Sequence, residues 1–316
     1  MNALIIALAL AGLQDPSSVT IALQDTPDGL LCTDGRHAGL YIADSEEELE
    51  ILSFQPGAGH NVVLTNEGIL FKECPSERLQ RIIGITDEGD RLLLFEGDYF
   101  SGPFECMQNT FLIAERDRIA EYDFQGEELR GWTARGFSAS LACSGECIFY
   151  TGETGGLDMI DVLSGEISEI SSCGETTFSR IAAGPGGLLL AERSQGGFIV
   201  LDPAGKVIFQ NSLAFFPSWT DEGNVLCSSL EFEGMYPVSG SILSIDPLTG
   251  TESILEERLV SLYPVELDNG EIVWTDAGDG VVNGMHVPPL PDLRMNFSTD
   301  DPDAHFDVPY MHQRWD

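Results

Sequence analysis

Thiols are the first groups in this chain that could do chemistry. The seven are Cys32, Cys74, Cys106, Cys143, Cys147, Cys173 and Cys227. A thiolate can attack carbonyls, bind zinc or form a disulfide. Zinc sites are built from close pairs at set spacings, and here Cys143 and Cys147 have no matching second pair, so no metal is expected. These two flank "SGE" (144–146), a spacing that puts them on the arms of one hairpin, where they can face each other. Most of the others sit in apolar runs, the setting of a buried thiol. In an exported protein some can pair, and the odd count leaves at least one free. His37 and His60 fall in predicted loops far from each other, with no ligand spacing between them. "DAGDG" (276–280) reads as an Asp-Gly turn rather than a calcium loop. "GPGG" (184–187) and "GAGH" (57–60) lack the strand–loop–helix setting of a phosphate-binding loop, so no cofactor is expected.

The elements that would position any site come from a repeat. An apolar residue followed by Asp, a short gap and a second apolar run recurs at Asp44, Asp87, Asp123, Asp161, Asp202 and Asp246, 36–44 residues apart. Interleaved with these are seven hairpin signals. Six are "LQDTPDGLLC", "VVLTNEGILF", "LACSGECIFY", "IAAGPGGLLLA", "SWTDEGNVLCSS" and "PVELDNGEIVWT", and "FECMQNTFLIA" is a degenerate seventh. Each period therefore holds two hairpins, or four strands. Four strands per ~40 residues predict an all-β chain, a β-propeller of four-stranded blades spanning residues 18–285. Seven blades are expected, the last short of a strand, with six as the alternative. The repeated Asp is expected to accept hydrogen bonds from turn backbone rather than to ligate metal. Trp132, Trp219 and Trp274 sit in or beside strands, where core packing explains them. The pattern resembles TolB-type and WD-like propellers, a resemblance that speaks to architecture and not to function.

Charge narrows the partners. Asp plus Glu number 52 and Lys plus Arg 15, a formal net charge of −37. Such a field repels nucleic acid and anionic lipid and attracts cations and basic partners. The opening "MNALIIALALAG" reads as a signal peptide over residues 1–11, although no Lys or Arg precedes its apolar run. The run is too short to span a bilayer, so a secreted or periplasmic protein without membrane insertion is expected.

Beyond residue 285 the character changes. Residues 286–304 are rich in proline and acid and read as an extended linker. The final "HFDVPYMHQRWD" (305–316) carries a strand-like alternation of Phe306, Val308 and Tyr310. "DVPYMHQRWD" resembles the first strand of papain-like bacterial cysteine peptidases of the bacteriocin-processing, double-glycine-leader type. The resemblance implies that Gln313 helps to form an oxyanion hole, its amide N–H aimed at the developing negative charge. The departure is that no cysteine, and no base to activate one, follows Gln313. The expected function is thus the propeller portion of such a peptidase, inactive by itself, binding a protein, peptide or envelope partner or restricting access to the active site. The alternatives are a stand-alone propeller enzyme, a metal-dependent lactonase or lyase with its site in the central channel, and a binding scaffold without chemistry.

Overall fold

The computed structural model describes residues 20–286, apart from 35–38, 44–48, 54, 56, 60, 77, 107–109, 137–139, 153–154, 172–176, 234–235, 259–260, 277–280 and 283–284. The expected signal peptide and tail, with Gln313, lie outside the described residues, as do His37, His60, Asp44, Cys173 and the expected linker apart from its first residue, His286.

The strands form seven four-stranded antiparallel sheets, each built from strands consecutive in sequence. These are the blades of a β-propeller. Their innermost strands are Thr20–Thr26, Val63–Thr65, Ser101–Glu105, Leu141–Ser144, Phe178–Ala183, Ala214–Trp219 and Ser261–Glu266. The last blade is complete, against the expectation of a missing strand. Its third and fourth strands, Val281–Val282 and Met285–His286, are only two residues each, too short to leave an alternation in the sequence.

Burial explains why these segments are strands. The middle strands of a blade are covered on both faces by neighbouring blades, so their sequences are continuous apolar runs. In blade 3, Phe111, Leu112, Ile113 and Ala114 are all buried. In the outermost strand of the same blade, Glu128–Thr133, Trp132 alone is buried. Fully burying side chains of this size contributes roughly 1.5–3 kcal/mol each. The core lies between blades. Phe111, Ile113 and Tyr122 of blade 3 pack on Leu70 and Ile82 of blade 2. The ring closes where Leu267 and Val273 of blade 7 meet Ala22, Cys32 and Tyr41 of blade 1. Backbone and side-chain hydrogen bonds follow the same joints. Ser140 Oγ accepts the Ile181 N–H at 3.0 Å, and the Asp268 N–H donates to Asp25 Oδ1 at 2.9 Å.

The repeated Asp residues do cap turns. Asp123 Oδ1 accepts from the N–H groups of Gln125 and Glu127, and Asp202 Oδ1 from those of Ala204 and Lys206. Both turns need a left-handed residue three positions on, supplied by Gly126 (φ 81°) and Gly205 (φ 78°). Asp161 and Asp246 accept from residues two and three positions on. Asp87 is a correction. In blade 2 the capping position is Thr86, whose Oγ1 accepts the Asp90 N–H at 3.1 Å, and Asp87 stands one residue beyond it.

Trp132 and Trp219 pack as expected and also tie blades together. Trp132 Nε1 donates to Val162 O at 3.1 Å, and Trp219 Nε1 to Ala182 O at 3.2 Å.

Candidate functional site

The seven inner strands surround a central channel of about 1930 Å³. Register shifts interrupt the inner strands of blades 1, 3, 5, 6 and 7, and among the described residues only blades 6 and 7 place a non-glycine residue at positive φ, which marks the candidate site. The inner strands of blades 6 and 7 carry matching segments, "AFFPSW" (214–219) and "SLYPVE" (261–266). Each has a proline inside a strand, which removes a ladder donor and forces a bulge. The register slips between Phe215 and Ser218 in one and between Leu262 and Val265 in the other. At each bulge the residue before the proline has a left-handed backbone, Phe216 at φ 54° and Tyr263 at φ 52°. An aromatic residue resists this conformation, which costs on the order of 1–3 kcal/mol. Bulges in strands re-aim side chains, and these two rings meet with centroids 4.0 Å apart and planes tilted by 36°.

A carboxylate joins them from blade 5. Glu192 lies in the strand Leu189–Arg193, opposite Arg180 of the inner strand. Its Oε1 accepts the Phe216 N–H at 3.3 Å. Burial pushes the Glu192 carboxyl above its ordinary range, with the Arg180 charge and the Phe216 N–H pulling the other way. Burial, and secondarily the charge of Glu192, pushes the Tyr263 phenol up, so it remains a neutral hydrogen-bond donor. Groups whose ionisation is displaced by enclosure and by one specific neighbour are concentrated at functional sites. The bulged blades are also tied together by Ser218 Oγ, which donates to Pro264 O at 2.7 Å. Glu192, Phe216, Tyr263 and Arg180 thus bring an anionic oxygen, two aromatic faces and a guanidinium to one side of the channel. Such a set can hold a cationic or amphipathic group: the carboxylate offers charge, and the rings offer cation–π faces.

Of the residues singled out from sequence, the hairpin cysteines behave differently from expectation. Ser144 pairs with Cys147 and Cys143 with Ile148, so Cys143 and Cys147 point to opposite faces of their sheet. Cys143 packs at the joint of blades 3 and 4, Cys147 at that of blades 4 and 5. Cys32 and Cys227 are fully buried, and burial pushes each thiol up to about 12. Asp276 ends a strand, and the rest of "DAGDG" lies outside the described residues. Among the described residues, no three His, Cys, Asp or Glu side chains gather as a metal-binding group. No helix there is long and apolar enough to cross a membrane.

Sequence reasoning missed Glu192, Phe216 and Tyr263. The available signal was the proline inside two apolar strand runs, "FFPSW" and "LYPVE".

No protein-family model and no curated protein matches the chain. Solved structures resemble it in fold. Streptogramin B lyase superposes with a TM-score of 0.60 at 13% identity, covering 83% of this chain and 92% of the other. A chain of a mitotic checkpoint complex gives 0.59 at 11%, covering 86% and 90%. BamB from Moraxella catarrhalis gives 0.52 at 12%, covering 83% and 82%.

Proposed function

We propose that this chain is a binding propeller whose channel receives a basic segment of a protein partner on the side formed by Glu192, Phe216 and Tyr263. The observation that carries this reading is the pair of equivalent left-handed aromatics stacked beside a carboxylate that accepts the N–H of one of them. Two strained backbones in one place are an expense that packing alone does not require. A Lys or Arg side chain entering here meets Glu192 and the ring faces together, while the net charge of −37 draws basic segments toward the surface. Similarity to a chain from a multiprotein checkpoint complex is compatible with a protein partner.

The test is binding of a fluorescent oligo-arginine peptide, followed by anisotropy. Glu192→Gln keeps the acceptor for the Phe216 N–H and removes the charge. Loss of a charged partner of this kind is worth about 1.5–3 kcal/mol, so affinity should fall at least tenfold. Glu88→Gln, an exposed acid in an outer turn, should leave it unchanged. Equal weakening by both would mean that the overall acidic field binds the peptide and that the channel site is not involved.

The finer reading is drawn from the tail resemblance: this propeller serves a papain-like cysteine peptidase, with Gln313 as an oxyanion-hole residue. It makes the basic segment part of a substrate protein or a docking partner. Reading the genomic DNA past codon 316 tests it. A Cys-Gly-containing segment soon after Trp315, followed by a His, supports it, and a stop codon directly after Asp316 removes it.

A further inference from the structure

The opposite side of the channel carries a pair of thiols that the site above does not use. Cys106 follows the inner strand Ser101–Glu105 of blade 3, and Cys143 lies in the inner strand Leu141–Ser144 of blade 4. They are 37 positions apart in sequence, yet their Sγ atoms are 2.6 Å apart. Both are half-buried and both line the channel, so small solutes can reach them. At that separation the two sulfurs sit inside the ordinary contact distance of separate thiols, so little movement is needed to join them. The neighbouring Cys106 sulfur is the main influence raising the Cys143 thiol, with burial next. Nearby stand Arg130, on the outer strand of the same blade as Cys106, and Glu121, with which it is ion-paired, so their charges act on the thiols in opposite senses. The other described cysteines are placed differently: Cys32, Cys74 and Cys227 are buried, and Cys147 faces the next blade joint.

We propose that Cys106 and Cys143 are a modification site: they form a reversible disulfide on the channel wall that fastens blade 3 to blade 4. The oxidant is a low-molecular-weight disulfide such as oxidised glutathione. Cys106, as thiolate, attacks one sulfur of that disulfide, forming a mixed disulfide and releasing one thiolate, which takes up the Cys106 proton. Cys143 then gives up its proton and attacks the Cys106 sulfur, breaking the mixed bond and releasing the second small thiol. Two protein thiols become one disulfide, and one small disulfide becomes two small thiols, so electrons and protons balance. The closed loop spans the outer part of blade 3 and the crossing to blade 4. Such a loop restricts the unfolded chain and should raise the melting temperature.

The experiment uses the full chain incubated with oxidised glutathione, alkylated, and digested without reductant for peptide mass spectrometry. The expected product joins the Cys106 and Cys143 peptides and is two hydrogens lighter than their sum. The oxidised protein should melt roughly 5 °C higher, and dithiothreitol should reverse the shift. Cys143→Ser should abolish both the linked peptide and the shift, whereas Cys147→Ser should keep both. If Cys143→Ser fails to fold, the wild-type peptide map decides alone. Recovery of Cys106 and Cys143 as separately alkylated thiols after oxidation would overturn the proposal. A linked peptide containing Cys147 in place of either would overturn it as well.

Discussion

Phe216 and Tyr263 occupy the same place in consecutive blades, each just before a proline, each with a left-handed backbone, with ring centroids 4.0 Å apart. Either bulge alone would be local strain. Together they place two rings in contact that regular ladders would hold apart. A double-mutant cycle with Phe216→Leu and Tyr263→Leu should therefore show a coupling of about 0.5–1.5 kcal/mol in denaturant unfolding. Independent effects of the two substitutions would show that the rings meet without cooperating. Phe216→Gly separates strain from packing, because glycine takes φ 54° without penalty. Its loss of stability should be smaller than that of Phe216→Ala, although it removes the same ring and one carbon more.

Glu192 makes opposite contributions to binding and stability, and the sign can be measured. Its carboxyl is raised above the ordinary 4.5, chiefly by burial. Between the unfolded value and the raised native value, the native state holds a proton that the unfolded state has released. Stability is highest below the unfolded value and falls as pH rises through the raised native value. Glu192→Gln removes this dependence and should melt higher than wild type at neutral pH, while binding oligo-arginine more weakly. A variant that melts lower at neutral pH would mean that the charge is stabilised in the fold, through Arg180, by more than burial opposes it. Peptide binding to the wild type should weaken as pH falls through the same raised value, since the protonated carboxyl no longer attracts a cation. Raising ionic strength to about 1 M, where the Debye length is about 3 Å, should weaken it less than expected for a surface pair, because the channel encloses the site.

Much of the architecture can be read from residues that act locally. Six of the seven inner turns were readable because each contains a polar residue and a glycine between strand-forming runs, and glycines such as Gly68 and Gly223 adopt positive φ there. The outer Asp positions were readable for the same reason, a side chain bonding its own turn. What escaped was set by neighbours distant in sequence. Glu192 meets Phe216 across 24 positions because the ring brings blade 5 against blade 6, and no local pattern encodes that meeting. The cysteine misreading had a local remedy. A two-residue turn pairing Ser144 with Cys147 puts Cys143 on the other face, since neighbours along a strand alternate. Asp87 misled because its blade uses Thr86 for the same purpose, and a search for Asp settles on the next residue.

The joint between blades 5 and 6 gives a steric prediction. A Cβ at Gly184 would stand 2.3 Å from the Trp219 ring, whose Nε1 donates to Ala182 O at 3.2 Å. The ring cannot move without breaking that bond. Gly184→Ala should destabilise the protein by about 1–3 kcal/mol, visible as a lower urea midpoint. Trp219→Phe, which shrinks the ring and removes the donor, should cost about 0.5–1.5 kcal/mol for the lost hydrogen bond, plus whatever packing is lost. In the double variant the Gly184→Ala penalty should shrink, because the smaller ring leaves room for the methyl group. An unchanged penalty would place the clash elsewhere.

The outer turns make a final test of the repeat, since blade 2 departs from the rule that blades 3 to 6 follow. Asp161 and Asp246 are half-buried, and hydrogen bonds hold their carboxyls below the ordinary range. For Asp161 the leading donor is the Ser164 N–H, for Asp246 the Thr249 hydroxyl. A depressed native value means the unfolded state binds the proton first as pH falls. The stabilisation is complete above the unfolded value of 3.8 and disappears as pH drops through the lower native value. Asp161→Asn should keep the turn and flatten this part of the acid profile, and Asp161→Ala should lose the turn bonds at every pH. In blade 2 the same logic assigns the capping work to Thr86 and none to Asp87. Thr86→Ala should lower stability by about 0.5–1.5 kcal/mol, while Asp87→Ala should stay within about 0.5 kcal/mol of wild type. Thr86→Asp should restore or exceed wild-type stability by giving blade 2 the acceptor that Asp123 and Asp202 provide in theirs. A large loss from Asp87→Ala, with Thr86→Ala silent, would return the capping role to Asp87 and break the equivalence of the outer turns.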